Sequence, residues 1–250
     1  MIGGDVPLLP GERVDRLGRT PLRIIQHPKR YAYAVDAVLL AAFARPEPGM
    51  RVVDLCLGNG AVALFFLART GGEIDAVEIS SELADMARRS ARLNGLEGRL
   101  RVYVGDVREA FRVLGAGRYD YLTCNPPYLP PHALPDNPFR ALAHHEVALS
   151  FDAAARAAAR LLKDGGRAAF VHRADRLTTV LAALRAARLE PKVLRLVYAR
   201  PGTPAELLLV EAKKGAGEGL AVLPPLFLLD DRGQTHPEMC RIYERLEMDR

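Results

Sequence analysis

From Met50 onward the apolar positions alternate between two patterns. Compact runs of the length of a buried strand lie at Arg51–Leu55, Glu73–Glu78, Leu100–Val104, Tyr119–Cys124, Arg167–His172, Lys192–Ala199 and Ala205–Ala212. Between them, apolar residues recur at helical spacing and predict helices over Ala61–Arg69, Ser81–Leu93, Arg108–Leu114, Ser150–Leu162 and Ala174–Arg188. Asn94-Gly95 stops the second of these helices and Asp164-Gly165-Gly166 the fourth. An earlier helix, Asp36–Ala44, reads as capped by the Asp36 carboxylate and ended by Pro46 and Pro48. Strands separated by helices imply right-handed crossovers and a mostly parallel sheet covered on both faces. The last two strands are joined only by Arg200–Pro204, too short for a crossover helix, so they are expected to pair antiparallel. The expected fold is therefore α/β: a mostly parallel seven-stranded sheet with an antiparallel terminal hairpin and helices on both faces. Residues 1–48 read as a basic segment with a capping helix, and residues 49–250 as the sheet domain. Beyond the spacer Gly215–Gly219, a short apolar segment over Leu220–Leu229 and a last helix over Pro237–Leu246 are expected to pack on that same domain.

Composition narrows the class. The chain has 250 residues, 49% hydrophobic and 26% charged, enough apolar content to offset chain entropy and so not a disordered polymer. Its longest apolar runs, Ala37–Ala44 and Ala61–Ala68, are far shorter than the roughly 20 residues a bilayer span needs. The first residues carry neither a basic nor an apolar leader, and Cys56, Cys124 and Cys240 make an odd cysteine count, so a reduced, cytoplasmic protein is expected. The net charge is +5, with 30 arginines against 5 lysines. The planar, always-charged guanidinium suits phosphate, although compositional bias accounts equally well for part of the excess. The densest basic stretch is the amino-terminal one, where Arg13, Arg16, Arg19, Arg23, Lys29 and Arg30 outnumber Asp5, Glu12 and Asp15.

In an open parallel sheet, ligands bind beyond the carboxyl ends of the strands. Asp54 there precedes a turn with Gly58 and Gly60, which let backbone approach a ligand while the next helix presents its positive end. Glu78 ends the second strand, where a carboxylate accepts both hydroxyls of a ribose. That spacing suits NAD-binding proteins as well as S-adenosylmethionine (AdoMet) enzymes. Gly105-Asp106 ends the third, with a carboxylate able to accept an adenine amino group. Each of these alone is more often a helix cap. The fourth strand end, Asn125-Pro126-Pro127-Tyr128, is more telling, because a Pro-rich turn gives no reason for Asn and Tyr to bracket the prolines. An amino group conjugated to a ring or carbonyl is a poor nucleophile. The Asn125 side-chain oxygen and the Pro126 carbonyl can hold its two hydrogens so that the lone pair faces a methyl donor, and they stabilise the positive charge that develops on nitrogen. Tyr128 offers a stacking face, and the proline rings stiffen the turn. No general base is needed, since the ammonium product loses its proton to solvent.

These residues, in this order and spacing, resemble the class I AdoMet-dependent amino-methyltransferases, a Rossmann-like fold. Further segments resemble one branch, the bacterial tRNA(Val) adenine-N6 methyltransferases: Arg13–Leu17, Ile24–Gln26, Tyr33–Leu40, Ala143–Glu146, Lys163–Gly166, Phe170–Arg173, Leu223–Leu226 and Ile242-Tyr243. The resemblance implies AdoMet as cofactor, an RNA partner that is a tRNA, and methylation of adenine N6. It implies that Asp54 with the Gly58–Gly60 turn holds the methionine part, Glu78 with Ile79 the ribose, Asp106 with Val107 the adenine, and Asn125, Pro126, Pro127 and Tyr128 the target amine. Gln26 and Asp36 are implied at the cofactor entrance. Cys56-Leu57 departs from the Gly and small residue common in class I enzymes, and the long Pro-rich loop over Leu129–Pro138 leaves the exact RNA target open. Protein glutamine N5-methylation, or methylation of another RNA base amine, uses the same chemistry. However, glutamine methyltransferases usually carry a helical substrate domain, for which the basic segment before Met50 leaves little room. His144-His145-Glu146 lacks partners at ligand spacing, so no metal is expected. Cys56 and Cys124 are expected to be neighbouring free thiols if their strands are adjacent. The Arg-rich segment and the loop over Leu129–Arg140 are the expected RNA-binding face.

Overall fold

A computed structural model of the chain describes residues 6–29, 31–127, 149–245 and 248. The basic segment opens with an antiparallel hairpin, β1 (Arg13–Arg16) and β2 (Arg23–Gln26), which hydrophobic patterning does not announce. Helix α1 (Val35–Phe43) follows. Then come β3 (Val52–Leu55), α2 (Ala61–Thr70), β4 (Ile74–Glu78), α3 (Ser81–Leu93) and β5 (Leu100–Val104). A 3-10 turn at Val107–Glu109 leads into α4 (Ala110–Leu114), and β6 (Tyr119–Cys124) follows. From residue 149 onward the chain forms α5 (Phe151–Leu161), β7 (Leu162–Arg173), α6 (Leu177–Ala186), β8 (Leu189–Tyr198) and β9 (Ala205–Lys214). Two dipeptide strands, β10 (Ala221–Val222) and β11 (Leu226–Phe227), precede α7 (Pro237–Arg245).

The seven expected strands lie in the order β8-β9-β7-β6-β3-β4-β5. Pairing is parallel from β7 through β5, and β9 runs antiparallel to both β7 and β8. Short β10 and β11 add to the β8 edge, making nine strands. Alternate strand residues feed two cores: Tyr121, Ala169 and Val171 pack with α1 and α2 on one face, while Leu122, Phe170 and Val53 pack with α5 and α6 on the other. Helix α1 is buried from Ala37 to Phe43 because neighbours cover it all round, which explains its unbroken apolar run.

Two local expectations are corrected. Asp36 is not the cap of α1. The N-cap is Ala34, without a side-chain hydrogen bond, and Asp36 sits in the first turn, its Oδ1 accepting the Ala37 amide at 2.7 Å. Nor does Asp164-Gly165-Gly166 separate helix from strand. Ser150 caps α5, which ends at Leu161, and β7 starts at once at Leu162 and runs through the glycines, with a register shift against β6 between Tyr119 and Tyr121. Gly166 is required there, since a Cβ would meet the Lys163 carbonyl at 2.9 Å.

The hairpin is fastened to α3 rather than to the sheet. Ser90 Oγ accepts the Ile25 amide at 2.9 Å, and Asn94 accepts the Arg23 amide at 2.8 Å while donating to the Arg23 carbonyl at 2.6 Å. Ser90 and Asn94 are one helical turn apart, so a single face of α3 satisfies backbone groups along one edge of β2. Next to Ser90, Arg89 makes a two-pronged bond to Glu12, 2.6 Å for each prong, and both side chains are nearly buried.

Candidate functional site

Four parallel strands, β6, β3, β4 and β5, end on the same side of the sheet, and the candidate residues stand at or just beyond those ends. Asp54, the last residue but one of β3, is 2% exposed and accepts a hydrogen bond from Thr123 Oγ1 of β6 at 2.7 Å. Burial and the nearby charge of Glu78 outweigh that bond and push its carboxyl up to about 7. Beyond it Cys56 adopts φ 59°, a left-handed conformation that L side chains resist. This is the physical reason glycine suits that position, and here cysteine bears the strain. Cys56 Sγ lies 3.9 Å from Cys124 Sγ at the end of β6, and both are free thiols. The contact with Cys124 and burial hold the Cys56 thiol well above its ordinary value, an unreactive state.

The glycine turn is fixed from three sides. Gly58 donates its amide to Glu78 Oε2 at 2.7 Å, and Asn59, 1% exposed, donates to the Ile25 carbonyl of β2 at 3.2 Å. Gly60, at φ 92°, is the N-cap of α2, and a Cβ there would sit 3.1 Å from Ala87. Glu78 also accepts the Ser80 amide at 3.0 Å, and burial raises its carboxyl despite these backbone donors. Ile79 and Val104, at the ends of β4 and β5, are 43% and 49% exposed and offer apolar surface beside that carboxylate. Asp106 accepts the Arg108 amide at 2.8 Å and the Arg108 guanidinium on both oxygens, which keeps its carboxyl low. Val107 beside it is buried.

At the end of β6, Asn125 presents a side-chain oxygen that is buried and finds no hydrogen-bond partner among the described residues. Pro126 after it is buried and Pro127 exposed. Tyr128, the loop over residues 129–138 and His144-His145-Glu146 lie outside the described residues. Among those described, no group of three or more metal-ligating side chains converges, and no helix is long and apolar enough to cross a membrane.

Gln26 and Asp36, the two residues expected at the cofactor entrance, have different surroundings. Gln26 uses both ends of its amide for bracing: Nε2 donates to Asp15 at 2.7 Å and Oε1 accepts the Tyr33 amide at 2.9 Å. Asp36 is close enough to Tyr31 for its charge to act on that phenol. Tyr31 is a residue the sequence reading missed. The antiparallel bridge between His27 and Tyr31 turns it into the site, and its hydroxyl lies 2.2 Å from where a Gly58 Cβ would stand. Burial and the surrounding Glu78, Asp36, Cys56 and Asp54 keep the phenol protonated. Gly58 therefore serves close approach as well as turn geometry. The available signal was Gly58 itself, but its partner comes from a distant hairpin.

Comparison with known proteins places this geometry. Residues 33–184 match the methyltransferase small domain family. The chain is 29% identical over 211 residues, 83% of its length and 82% of the relative's, to a tRNA1(Val) (adenine(37)-N6)-methyltransferase of Yersinia enterocolitica. It is 35% identical over 183 residues, 68% of its length and 61% of the relative's, to a 4-amino-L-phenylalanine/4-methylamino-L-phenylalanine methyltransferase of Streptomyces pristinaespiralis. Among solved structures, a predicted O-methyltransferase of Agrobacterium tumefaciens superimposes with a TM-score of 0.71 at 25% identity, covering 86% of this chain and 98% of that one.

Proposed function

The chain belongs to the methyltransferase small domain family, and from that premise we propose that this AdoMet-dependent N-methyltransferase acts on the N6 amino group of an adenine in tRNA. The observation that carries the reading is the buried, unpartnered Asn125 oxygen at the end of β6. A buried acceptor without a donor is costly, and a conjugated amine supplies the missing hydrogen. With the Pro126 carbonyl as second acceptor, the turn takes both hydrogens of an NH2 group. A hydroxyl substrate has only one to give, so the pair of acceptors favours nitrogen over oxygen.

The remaining strand ends fit the cofactor. Asp54, at about 7, gains from a neighbouring cation, which the amino group of a methionine part provides. Glu78 is the acceptor for ribose hydroxyls, and Ile79, Val104 and Val107 are the apolar surround for a base. Asp106 is the acceptor for the adenine amino group, although Arg108 already engages both its oxygens. The bound cofactor supplies an electrophilic methyl group. Asn125 and Pro126 orient the amine lone pair toward it and meet the positive charge that grows on nitrogen, and Tyr128 is assigned the stacking face. The ammonium proton leaves to solvent.

The tRNA substrate is supported by the Yersinia relative and by the basic hairpin beside the site. The Streptomyces relative acts on an arylamine, a second conjugated amine suited to the same acceptors. Incubation with labelled AdoMet and, separately, unmodified tRNA, rRNA, a release-factor protein and 4-aminophenylalanine separates these readings. Label in N6-methyladenosine from tRNA is expected, and label only in the small amine would overturn the tRNA assignment.

A further inference from the structure

A second concavity lies beside the glycine turn. Between the β1–β2 hairpin, the segment entering α1 and helix α7 is an open depression of about 420 Å³, a volume within the roughly 300–1,000 Å³ of small-ligand sites. Tyr33 and Tyr243, Arg13 and Arg16, and Val35 and Val38 of α1 are among the residues that line it. Asp15 is the acidic member, and its Oδ2 is shared between Arg13 Nε at 2.8 Å and Gln26 Nε2 at 2.7 Å. Arg13 thus balances Asp15, and Arg16 carries the net charge. Arg16 is fixed by one bond, from Nε to the Thr20 carbonyl at 2.8 Å. Tyr33 is held through its hydroxyl, which accepts the Gly18 amide at 3.1 Å, and α7 is tied to the hairpin by Arg19 and Glu244 at 2.9 Å.

Two phenol rings, two valines and a guanidinium, Arg16, without a carboxylate partner among the described residues suit a ligand that is planar, aromatic and singly negative. The hairpin links this depression to the glycine turn: Gln26 in its lining follows Ile25, whose carbonyl accepts Asn59 Nδ2 at 3.2 Å. We propose that this depression holds a nucleotide flanking the target base in a single-stranded RNA segment, its base against Tyr33 and Tyr243 and its phosphodiester on Arg16 and Arg13. The inference rests on the reading of RNA as substrate and adds where the strand is gripped.

The test measures KM and kcat for unmodified tRNA, RNA affinity against salt, and AdoMet affinity, all with the full chain. Tyr243→Ala is expected to raise the KM for RNA about tenfold, within the range for loss of one stacking side chain, with the effect in KM rather than kcat. Tyr243→Phe, which keeps the ring, should restore the wild-type KM. Arg16→Ala should reduce the slope of log affinity against log salt by about 0.7, one single-strand phosphate contact. AdoMet affinity should stay constant throughout, and Arg16→Ala decides the matter if Tyr243→Ala does not fold. A wild-type KM for Tyr243→Ala together with an unchanged slope for Arg16→Ala, in a protein that does methylate tRNA, would overturn the inference alone. Wild-type protein that transfers no methyl group to RNA would overturn the substrate reading and this inference with it.

Discussion

A buried amide oxygen without a donor costs about 1–3 kcal/mol, and Asn125 carries that cost at the strand end proposed to take the target amine. Asn125→Ala is therefore expected to leave the melting temperature unchanged or slightly higher. A fall of several degrees would mean that the oxygen is already paired within the fold. Asp54 makes the second residue-scale prediction. Its carboxyl rises from 3.8 to about 7 in the folded chain, so the folded state holds a proton that the unfolded state releases. The stability this contributes is complete below pH 3.8 and declines as pH rises to about 7. Denaturant titrations across that window should show the decline, and Asp54→Asn should remove it; the same slope in the variant would assign it to another group. Gly58→Ala places a methyl group on the Tyr31 hydroxyl and an L side chain at φ 59°, a strain of about 1–2 kcal/mol before the clash is counted. It should lower both stability and AdoMet affinity, as read by thermal shift and calorimetry. Asp54, Gly58, Glu78 and Asn125 were legible in the sequence because each ends or follows a recognisable strand. Tyr31 was not, since its role depends on a tertiary approach that no local spacing encodes.

Among the elements, β3 to β7 could be read because a buried parallel strand is a continuous apolar run, and β8 and β9 because two apolar runs are joined by a turn too short for a crossover helix. The β1–β2 hairpin escaped that test. Three of the four β1 residues are exposed, so Arg13–Arg16 shows no alternation, and one edge of β2 finds its partners in side chains of α3 rather than in the sheet. The start of β7 was hidden for the opposite reason: Asp164-Gly165-Gly166 has the composition of a helix stop, yet Gly165 and Gly166 accommodate an irregularity inside the strand. The attachment of the hairpin depends most on Arg89. Arg89→Met leaves the buried Glu12 carboxylate without its two-pronged partner, a loss of about 3–5 kcal/mol for a broken buried pair. We expect faster tryptic cleavage within residues 6–26 than in wild type, with partial recovery when Glu12→Gln is added. Unchanged cleavage would show that Ser90 and Asn94 suffice to hold the hairpin.

For the whole molecule, one sheet with its two cores accounts for most of the chain, and the basic hairpin is clamped over α3 beside the glycine turn. The arginines of this hairpin, whose excess composition alone leaves ambiguous, are thereby carried on an element bonded to the glycine turn through Asn59. RNA binding should weaken steeply with salt, as phosphate contacts require, whereas AdoMet binding should respond chiefly to pH through Asp54. Near pH 7 that binding should release part of a proton, seen as a buffer-dependent enthalpy in calorimetry; equal enthalpies in buffers of different ionisation heat would remove Asp54 from the cofactor site. The most direct test of the account is methyl transfer under single-turnover conditions to unmodified tRNA, comparing wild type with Asn125→Ala at saturating AdoMet and measuring RNA affinity alongside. The account predicts N6-methyladenosine as the wild-type product and a rate about 10²–10³ lower in the variant at unchanged RNA affinity. Transfer at the wild-type rate by Asn125→Ala, or label on any atom other than an amino nitrogen, would contradict it.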